Sequence, residues 1–431
     1  MKLSVIGAGY VGLVAAACFA ENGNDVVAVD RDPARLRLLR RGAIPFVEPG
    51  LEEIVRRNRA EKRLVFTSQV ATAARHSSIV FIAVEAASSV DGEAAAQGVL
   101  DAAREVAQAM NGYKVLAIAS AVPVGTAAKA REVVRRETTH PFSVVSSPAF
   151  LRQGTAVRDF LEPDRVVIGA EDPRATQLLV DLYSPFTRTG APVLVMDCAS
   201  AELSKLAASA LLAARISLMN EVARVAELAG ADVEQVRRAV GADHRIGPAC
   251  LFAGAGYGGA NLAGDVRTLM ALAAGLGYGF RALEAAERVN AEQKEWLACR
   301  MQRHFGSLEG RVIAVWGLAF KPGTGDVREA PALALVERLL AAGARVQVYD
   351  PAASSTAKAA LASRVKFCAR SYDALVGADA LGLVTEWNEF REPDLSKMRK
   401  LMRAPVVFDG RNLYRPERMR AHGFTYYGVG R

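Results

Sequence analysis

Three glycines near the start of the chain, Gly7, Gly9 and Gly12, have the spacing G-x-G-x-x-G, and an acid, Asp30, follows one supersecondary unit later. The chemistry this suggests is binding of a dinucleotide. The first glycine permits a tight turn, the second lets the backbone approach a pyrophosphate, and the third lets a helix pack on a strand. A helix that starts in the turn offers N–H groups and a positive dipole end to the phosphates. A carboxylate at Asp30 can hold both ribose hydroxyls, which favours NAD over NADP. The plainer alternative is a tight strand-to-helix turn without a ligand. The five cysteines, Cys18, Cys198, Cys250, Cys299 and Cys368, are far apart and include no C-x-x-C pair. That spacing suggests neither a zinc site nor a disulfide framework, so no metal is expected. Cys250 lies in apolar surroundings and is expected to pack inside.

The elements needed to position such a turn are legible. Residues 2–7 (KLSVIG) form an apolar run, a helical stretch follows to about Asn22, and 25–30 (DVVAVD) form a second run that ends in Asp30. This is strand, turn, helix and strand in sequence. Further apolar runs lie at 79–84, 114–119 and 143–146, with helical patterns between them. Such alternation predicts a parallel, doubly wound sheet. Residues 198–230 contain no proline and no glycine before Gly230, and they predict one helix of roughly 45 Å. Helical segments continue to about 306. The strand–helix pattern then restarts at 311–316, 345–349, 380–384 and 405–409. The expected fold class is α/β: two Rossmann-like doubly wound parallel-sheet domains facing a cleft, joined by a long central helix and a helical middle domain. The expected boundaries are 1–197, 198–300 and 301–431.

Composition is globular over 431 residues, with 51% hydrophobic and 23% charged residues. The net charge of +8 and the pI near 9.3 reflect either an arginine-rich background or a pull toward anionic ligands such as nucleotide diphosphates. Nucleic acid is not the expected partner, because there is no long Lys/Arg run and aromatics are only 7%. No apolar run is expected to reach the length of a membrane span. With an N-terminus that opens directly on a strand and scattered cysteines, the expectation is a cytoplasmic protein with no membrane partner.

Nine segments in order carry a resemblance: GAGYVGLV (7–14), EPGLEE (48–53), VPVGT (122–126), PDRVVIGA (163–170), AELSKLAA (201–208), RIGPA (245–249), GYGG (256–259), GLAFKPGTGDVRE (317–329) and FDGRN (408–412). Nearly end to end, the chain resembles the UDP-glucose 6-dehydrogenase family of nucleotide-sugar dehydrogenases. The resemblance implies an N-terminal NAD domain, a central helical dimerisation domain and a C-terminal UDP-sugar domain. It also implies a reaction. Family enzymes oxidise the sugar C6 alcohol to a carboxylate with two NAD, passing through a cysteine thiohemiacetal and thioester that water cleaves. By the same resemblance Tyr10, Val11, Arg35 and Gln153 join the glycines and Asp30 at the cofactor, and Arg328 reaches its diphosphate from the opposite domain. Lys205, Arg152, Arg245, Lys321 and Arg411 take positions that face the UDP-sugar or its diphosphate, where arginine suits phosphate recognition. Phe150, Leu151, Leu251, Tyr257 and Gly258 fall in its substrate-binding segments.

The departures concentrate on the chemistry. The family segment Gly-Gly-Ser-Cys-Phe-Pro-Lys-Asp is here Gly258-Gly259-Ala260-Asn261-Leu262-Ala263-Gly264-Asp265, with Asp265 kept and Asn261 at the cysteine position. A carboxamide is not a nucleophile and forms no thioester. A threonine that organises the catalytic water becomes Ala121, an acid/base glutamate becomes Ala149, a glutamate near the nicotinamide becomes Gln153, and an oxyanion-stabilising asparagine becomes Ser209. The family's Val-Gly-Thr-Pro becomes Val84-Glu85-Ala86-Ala87. Glu85 either faces the cofactor, where it would repel phosphate and weaken NAD binding, or points to solvent. Three functions follow from this pattern. One is an inactive paralogue that binds a UDP-sugar and NAD, as a homodimer or in a hetero-oligomer with an active homologue. The second is a dehydrogenase with altered two-electron chemistry in which Lys205 and Asp265 move protons. The third is a structural subunit of a mixed oligomer.

Overall fold

The computed structural model describes residues 1–85 and 92–431. They divide into two units. One comprises Met1–Ser209 with Gly264–Tyr278, and the other Ala210–Ala263 with Gly279–Arg431. Each unit is organised by one sheet, so the expected α/β class with two Rossmann-like sheets is observed.

The first unit's sheet holds β1 (Lys2–Ile6), β2 (Asp25–Val29), β3 (Leu64–Thr67), β4 (Ile79–Ile82), β5 (Lys114–Ile118), β6 (Phe142–Ser146), β7 (Val166–Gly169) and β8 (Val193–Met196). Their spatial order is β3-β2-β1-β4-β5-β6-β7-β8, parallel except for the β6–β7 pair. Alternate residues enter opposite layers. Leu3, Val5, Ile79 and Phe81 pack on one face, and Ile6, Val27, Val80 and Ile82 on the other. Burial on both faces explains why these strands read as continuous apolar runs.

The second unit's sheet holds β9 (Val312–Trp316), β10 (Arg345–Tyr349), β11 (Lys366–Phe367), β12 (Ala380–Leu383), β13 (Val406–Asp409) and β14 (Thr425–Gly428), in the order β11-β10-β9-β12-β13-β14 and parallel throughout. The first six strands of either sheet follow the same winding, so each has a switch point beside its first strand, between β1 and β4 and between β9 and β12. Loops that leave the carboxyl ends of strands there form a crevice suited to ligands. Strands β3, β7, β8, β11 and β14 were not expected. Several are short or lie at sheet edges with half-exposed patterns, so they lack the sustained apolar signal of a central strand.

The long helix spans Cys198–Ala229 and is closed by Gly230 at φ 72°, as expected from its glycine-free run. The expectation that no apolar segment reaches membrane-span length is corrected here. By length and composition this helix is apolar enough, with mean hydropathy 1.3 in its most apolar stretch, of which 44% is buried inside the fold. Its many alanines allow close packing. Ala201, Ala213 and Ala223 have no exposed surface, and the helix also bears Lys205 in an ion pair with Asp265. A second correction concerns Cys250. It is half-buried rather than interior, because the backbone turns left-handed there at φ 58° and its neighbour Leu251 takes the inside position.

Candidate functional site

The glycine-rich turn follows β1 and opens the helix Tyr10–Glu21. Gly7 adopts φ 99°, and a side chain there would meet the Ala83 carbonyl oxygen at 2.5 Å. A methyl group on Gly12 would run into the Gly7 carbonyl oxygen. Both glycines are therefore required for strand–helix packing alone. Gly9 differs, because the space over its α carbon holds the carboxyl group of Glu85. A Cβ on Gly9 would lie 2.6 Å from the Glu85 carboxyl carbon. The Glu85 Oε1 accepts the Tyr10 backbone N–H at 2.5 Å. Of the two orientations open in the sequence, Glu85 thus takes the one that faces the dinucleotide turn. Ala86 and Ala87, the rest of that replaced segment, lie outside the described residues.

Asp30 ends the β2 run and is buried. Its Oδ2 accepts the Ala8 N–H at 3.0 Å and an Arg35 Nη1–H at 2.7 Å, while Oδ1 accepts from the Asp32 N–H at 2.8 Å. The acid and Arg35 are therefore brought to the turn together. The Tyr10 ring is buried, 4.9 Å from the Phe46 ring centre. Its hydroxyl donates to the buried Glu48, and burial together with that carboxylate pushes the phenol well above its ordinary range. Glu48 also accepts the Gly154 and Ala156 N–H groups, at 2.6 and 2.7 Å.

A cavity in the same unit is lined by Val11, Ala149, Phe150, Leu151, Arg152 and Arg165, among others. The Arg165 guanidinium lies 3.7 Å from the Phe150 ring centre and the Lys205 ammonium 5.5 Å from it. Burial pushes Arg165 below its ordinary range. Arg152 forks onto Asp159 at 2.5 Å with its side chain largely exposed. Gln153 is buried, and Ala121 is exposed on the loop after β5. The long helix supplies Lys205 and Ser209, one turn apart. The Lys205 Nζ lies 3.3 Å from the Asp265 Oδ2, and the Ser209 hydroxyl donates to that same oxygen at 2.6 Å. This cluster can hold and move a proton, but it contains no thiol. Asn261 sits exposed in the first turn of the helix Ala260–Gly275, one turn before Asp265. Among the described residues no group of His, Cys, Asp or Glu could hold a metal ion.

The second unit repeats the logic at its own switch point. Asp350 follows β10 and its Oδ2 accepts the Leu318 and Ala319 N–H groups after β9, at 2.7 and 3.0 Å, as Asp30 accepts from Ala8 in the first unit. Arg411, just past β13, donates to the Val384 carbonyl at 2.6 Å and to the Gly256 carbonyl at 3.3 Å. The segment Leu251–Gly259 is held from several sides. Asn220 accepts the Gly254 N–H, Gln293 donates to the Gly254 carbonyl, and Asn290 accepts the Tyr257 N–H. The Tyr257 hydroxyl donates to Glu287. Gly258 leaves no room for a side chain against the Glu329 carbonyl, and Gly259 donates to the Arg328 carbonyl at 2.9 Å. The Arg328 side chain forks onto Asp326, Arg245 onto Asp243, and Lys321 is half-buried in the segment after β9.

Comparison with known proteins matches three consecutive stretches to three family models. Residues 1–187 match the NAD binding domain of the UDP-glucose/GDP-mannose dehydrogenase family, 199–292 its central domain, and 314–416 its UDP binding domain. The chain belongs to the UDP-glucose/GDP-mannose dehydrogenase family. It is 47% identical to a UDP-glucose 6-dehydrogenase of Pseudomonas aeruginosa over 443 residues, covering 100% of this chain and 98% of that protein. It is 42% identical to a UDP-glucose 6-dehydrogenase of Rhizobium meliloti over 439 residues, covering 100% of each. A solved UDP-glucose dehydrogenase from the archaeon Pyrobaculum islandicum superposes with a TM-score of 0.91 at 36% identity, over 99% of this chain and 97% of that one.

NAD is the cofactor for which this family's N-terminal domain is built, and the residues of the turn fit it. Gly9 carries no side chain, so a phosphate could approach its backbone in place of the Glu85 carboxyl that now fills that space, and Asp30 ends the β2 run where an acid can hold a ribose. When bound, NAD would supply the acceptor for a hydride. Several residues that shape this dehydrogenase scaffold were not singled out in the sequence: Glu48, Arg165, Glu202 and Asn290. Glu202 is buried and accepts the Gly125 and Ala127 N–H groups, at 2.7 and 2.8 Å, at the start of the helix Thr126–Glu137. Burial pushes its carboxyl above the usual range. Glu48, Arg165 and Glu202 lie inside the motifs EPGLEE, PDRVVIGA and AELSKLAA, so the signal was present. Their partners are distant in sequence and could not be read there.

Proposed function

We propose that this chain binds NAD and a UDP-sugar of the UDP-glucose type but does not complete the four-electron oxidation of the family. The observation that carries the proposal is the Lys205–Asp265–Ser209 cluster. Its ion pair and hydrogen bond are in place, while the helix that presents Asp265 offers the Asn261 carboxamide one turn earlier, at the position the family resemblance gives to the nucleophile. A carboxamide cannot add to an aldehyde and later be expelled by water from an acyl intermediate, as a cysteine thiolate can. Ala121, Ala149 and Ser209 remove further reaction groups assigned by the same resemblance. Loss of an acid or base costs about 10²–10⁴ in rate, and loss of an oxyanion donor about 10²–10³. These losses do not simply multiply, but together they leave little of the usual route. The positions kept are those of binding: Lys205, Arg152 and Phe150 in the first unit, and Arg245, Lys321 and Arg411 in the second. We propose the division 1–197, 198–300 and 301–431 for cofactor, helical and sugar-nucleotide domains.

The test is titration calorimetry of the purified protein with UDP-glucose and with NAD, followed by absorbance at 340 nm when both are present. Binding without NADH is the expected result. NADH together with UDP-glucuronate would overturn the proposal. NADH with an aldehyde product would instead establish a two-electron dehydrogenase that uses Lys205 and Asp265.

We further propose a homodimer built on the long helix. Leu211, Leu218 and Val225 recur at the heptad interval and are 67%, 60% and 64% exposed, and Leu228 beside them is 89% exposed. One apolar stripe of this kind on a helix face marks an interaction surface. Light scattering after size exclusion is expected to give twice the 45.9 kDa chain mass. Leu218→Glu is expected to halve it, and a wild-type monomer would refute the dimer.

A further inference from the structure

We infer that the Glu85 carboxylate is an internal anion seated on the diphosphate cradle of the glycine-rich turn, and that NAD must displace it to bind. The inference rests on the reading of Gly7–Gly12 as the dinucleotide site. Two independent features carry it. The carboxylate accepts the first N–H of the helix Tyr10–Glu21, at 2.5 Å from the Tyr10 nitrogen. It also fills the volume over Gly9 that the missing side chain keeps open, with both carboxyl oxygens within 2.8 Å of where a Cβ would stand. An N–H group at a helix start and a bare glycine are what a phosphate uses. Here a phosphate-like group already satisfies them from within the chain.

Topology makes this possible. Gly9 lies in the loop after β1 and Glu85 in the loop after β4, and these two strands are neighbours at the switch point of the sheet. The unit offers two comparisons. Glu48 and Glu202 also place carboxylates on backbone N–H groups at or near helix starts, but each is buried and accepts two N–H groups. Those are permanent structural links. Glu85 is exposed and meets one N–H of its helix. An exposed, singly bonded carboxylate can swing into water, where it is well solvated. NAD binding then bears the cost of removing it and of placing a diphosphate beside a residual negative charge. Glu85 therefore sets cofactor affinity.

The experiment is calorimetric titration of the full chain and of Glu85→Ala and Glu85→Gln with NAD, ADP, adenosine and UDP-glucose. Glu85→Ala is expected to tighten NAD and ADP by about tenfold, the factor commanded by one charge-assisted hydrogen bond. Glu85→Gln, which removes the charge and keeps the shape, should move in the same direction by less. Adenosine, which has no diphosphate, and UDP-glucose should bind all three proteins alike. Equal NAD affinity in all three would overturn the inference and leave the cofactor reading standing. NAD bound by none of them, with UDP-glucose still bound, would overturn both. Weaker NAD binding in Glu85→Ala would mean that the carboxylate supports the cofactor rather than competing with it, and would also overturn the inference.

Discussion

Asp265→Ala is expected to lower the unfolding free energy by about 3–5 kcal/mol, the cost of stripping one partner from a buried ion pair. The side chains of Lys205 and Asp265 are only 13% and 5% exposed. Removing the carboxylate leaves the ammonium without its counter-charge, and it leaves the Ser209 hydroxyl without the acceptor it now has at 2.6 Å. Neither group can turn to water at low cost, because Ser209 is itself buried. The Phe150 ring near Lys205 offers only a weak cation–π contact in exchange. Denaturant melts of the wild type and variant, analysed with a common slope, measure the loss. The double variant Lys205→Met/Asp265→Ala should recover much of it, since no charge is then stranded. A loss below about 1 kcal/mol in the single variant would mean that the pair is solvated in solution.

The second large effect is expected from Gly12→Val. A side chain at Gly12 has no space against the Gly7 carbonyl oxygen, and Gly7 is itself tied to β2 by its N–H, which donates to the Val29 carbonyl at 2.8 Å. The strand–turn–helix unit would have to open in the middle of the first unit's core, where Leu13, Val14, Ala16 and Ala17 have no exposed surface. A loss of about 3 kcal/mol is expected, the upper end of the range for over-packing a core. The thermal midpoint should fall by several degrees. NAD affinity should fall with it, because the helix start that presents its N–H groups is displaced. A folded Gly12→Val protein with unchanged NAD affinity would show that the turn does not serve the cofactor.

Much of this protein could be read without coordinates. The apolar runs that became β1, β2, β4, β5 and β6 were visible because a strand covered on both faces has few polar interruptions. The long helix was visible from its unbroken composition and terminal glycine. Edge strands such as β11, with only two residues, carried too little pattern to be seen.

The site divided in a similar way. The kind of residue at each position is a property of the sequence, so the capacity for covalent chemistry could be judged there. Asn261 cannot act as a thiolate in any fold. Which groups meet is not such a property. Asp265 and Ser209 are 56 residues apart, and Glu85 and Tyr10 are 75 apart. The first pair meets where the helix Ala260–Gly275 touches the long helix, and the second because two loops leave neighbouring strands at the switch point of the sheet. Local periodicity reports which face of an element is apolar, but it says nothing about which distant loop shares a crevice. The sequence by itself determined the two α/β units, the dinucleotide turn and the absence of a thiol at position 261. Only the tertiary structure decided that Asp265 is bound to Lys205 and Ser209, because two helices far apart in sequence meet there, and that the Glu85 carboxylate lies over the glycine-rich turn, because strand order brings the two loops together.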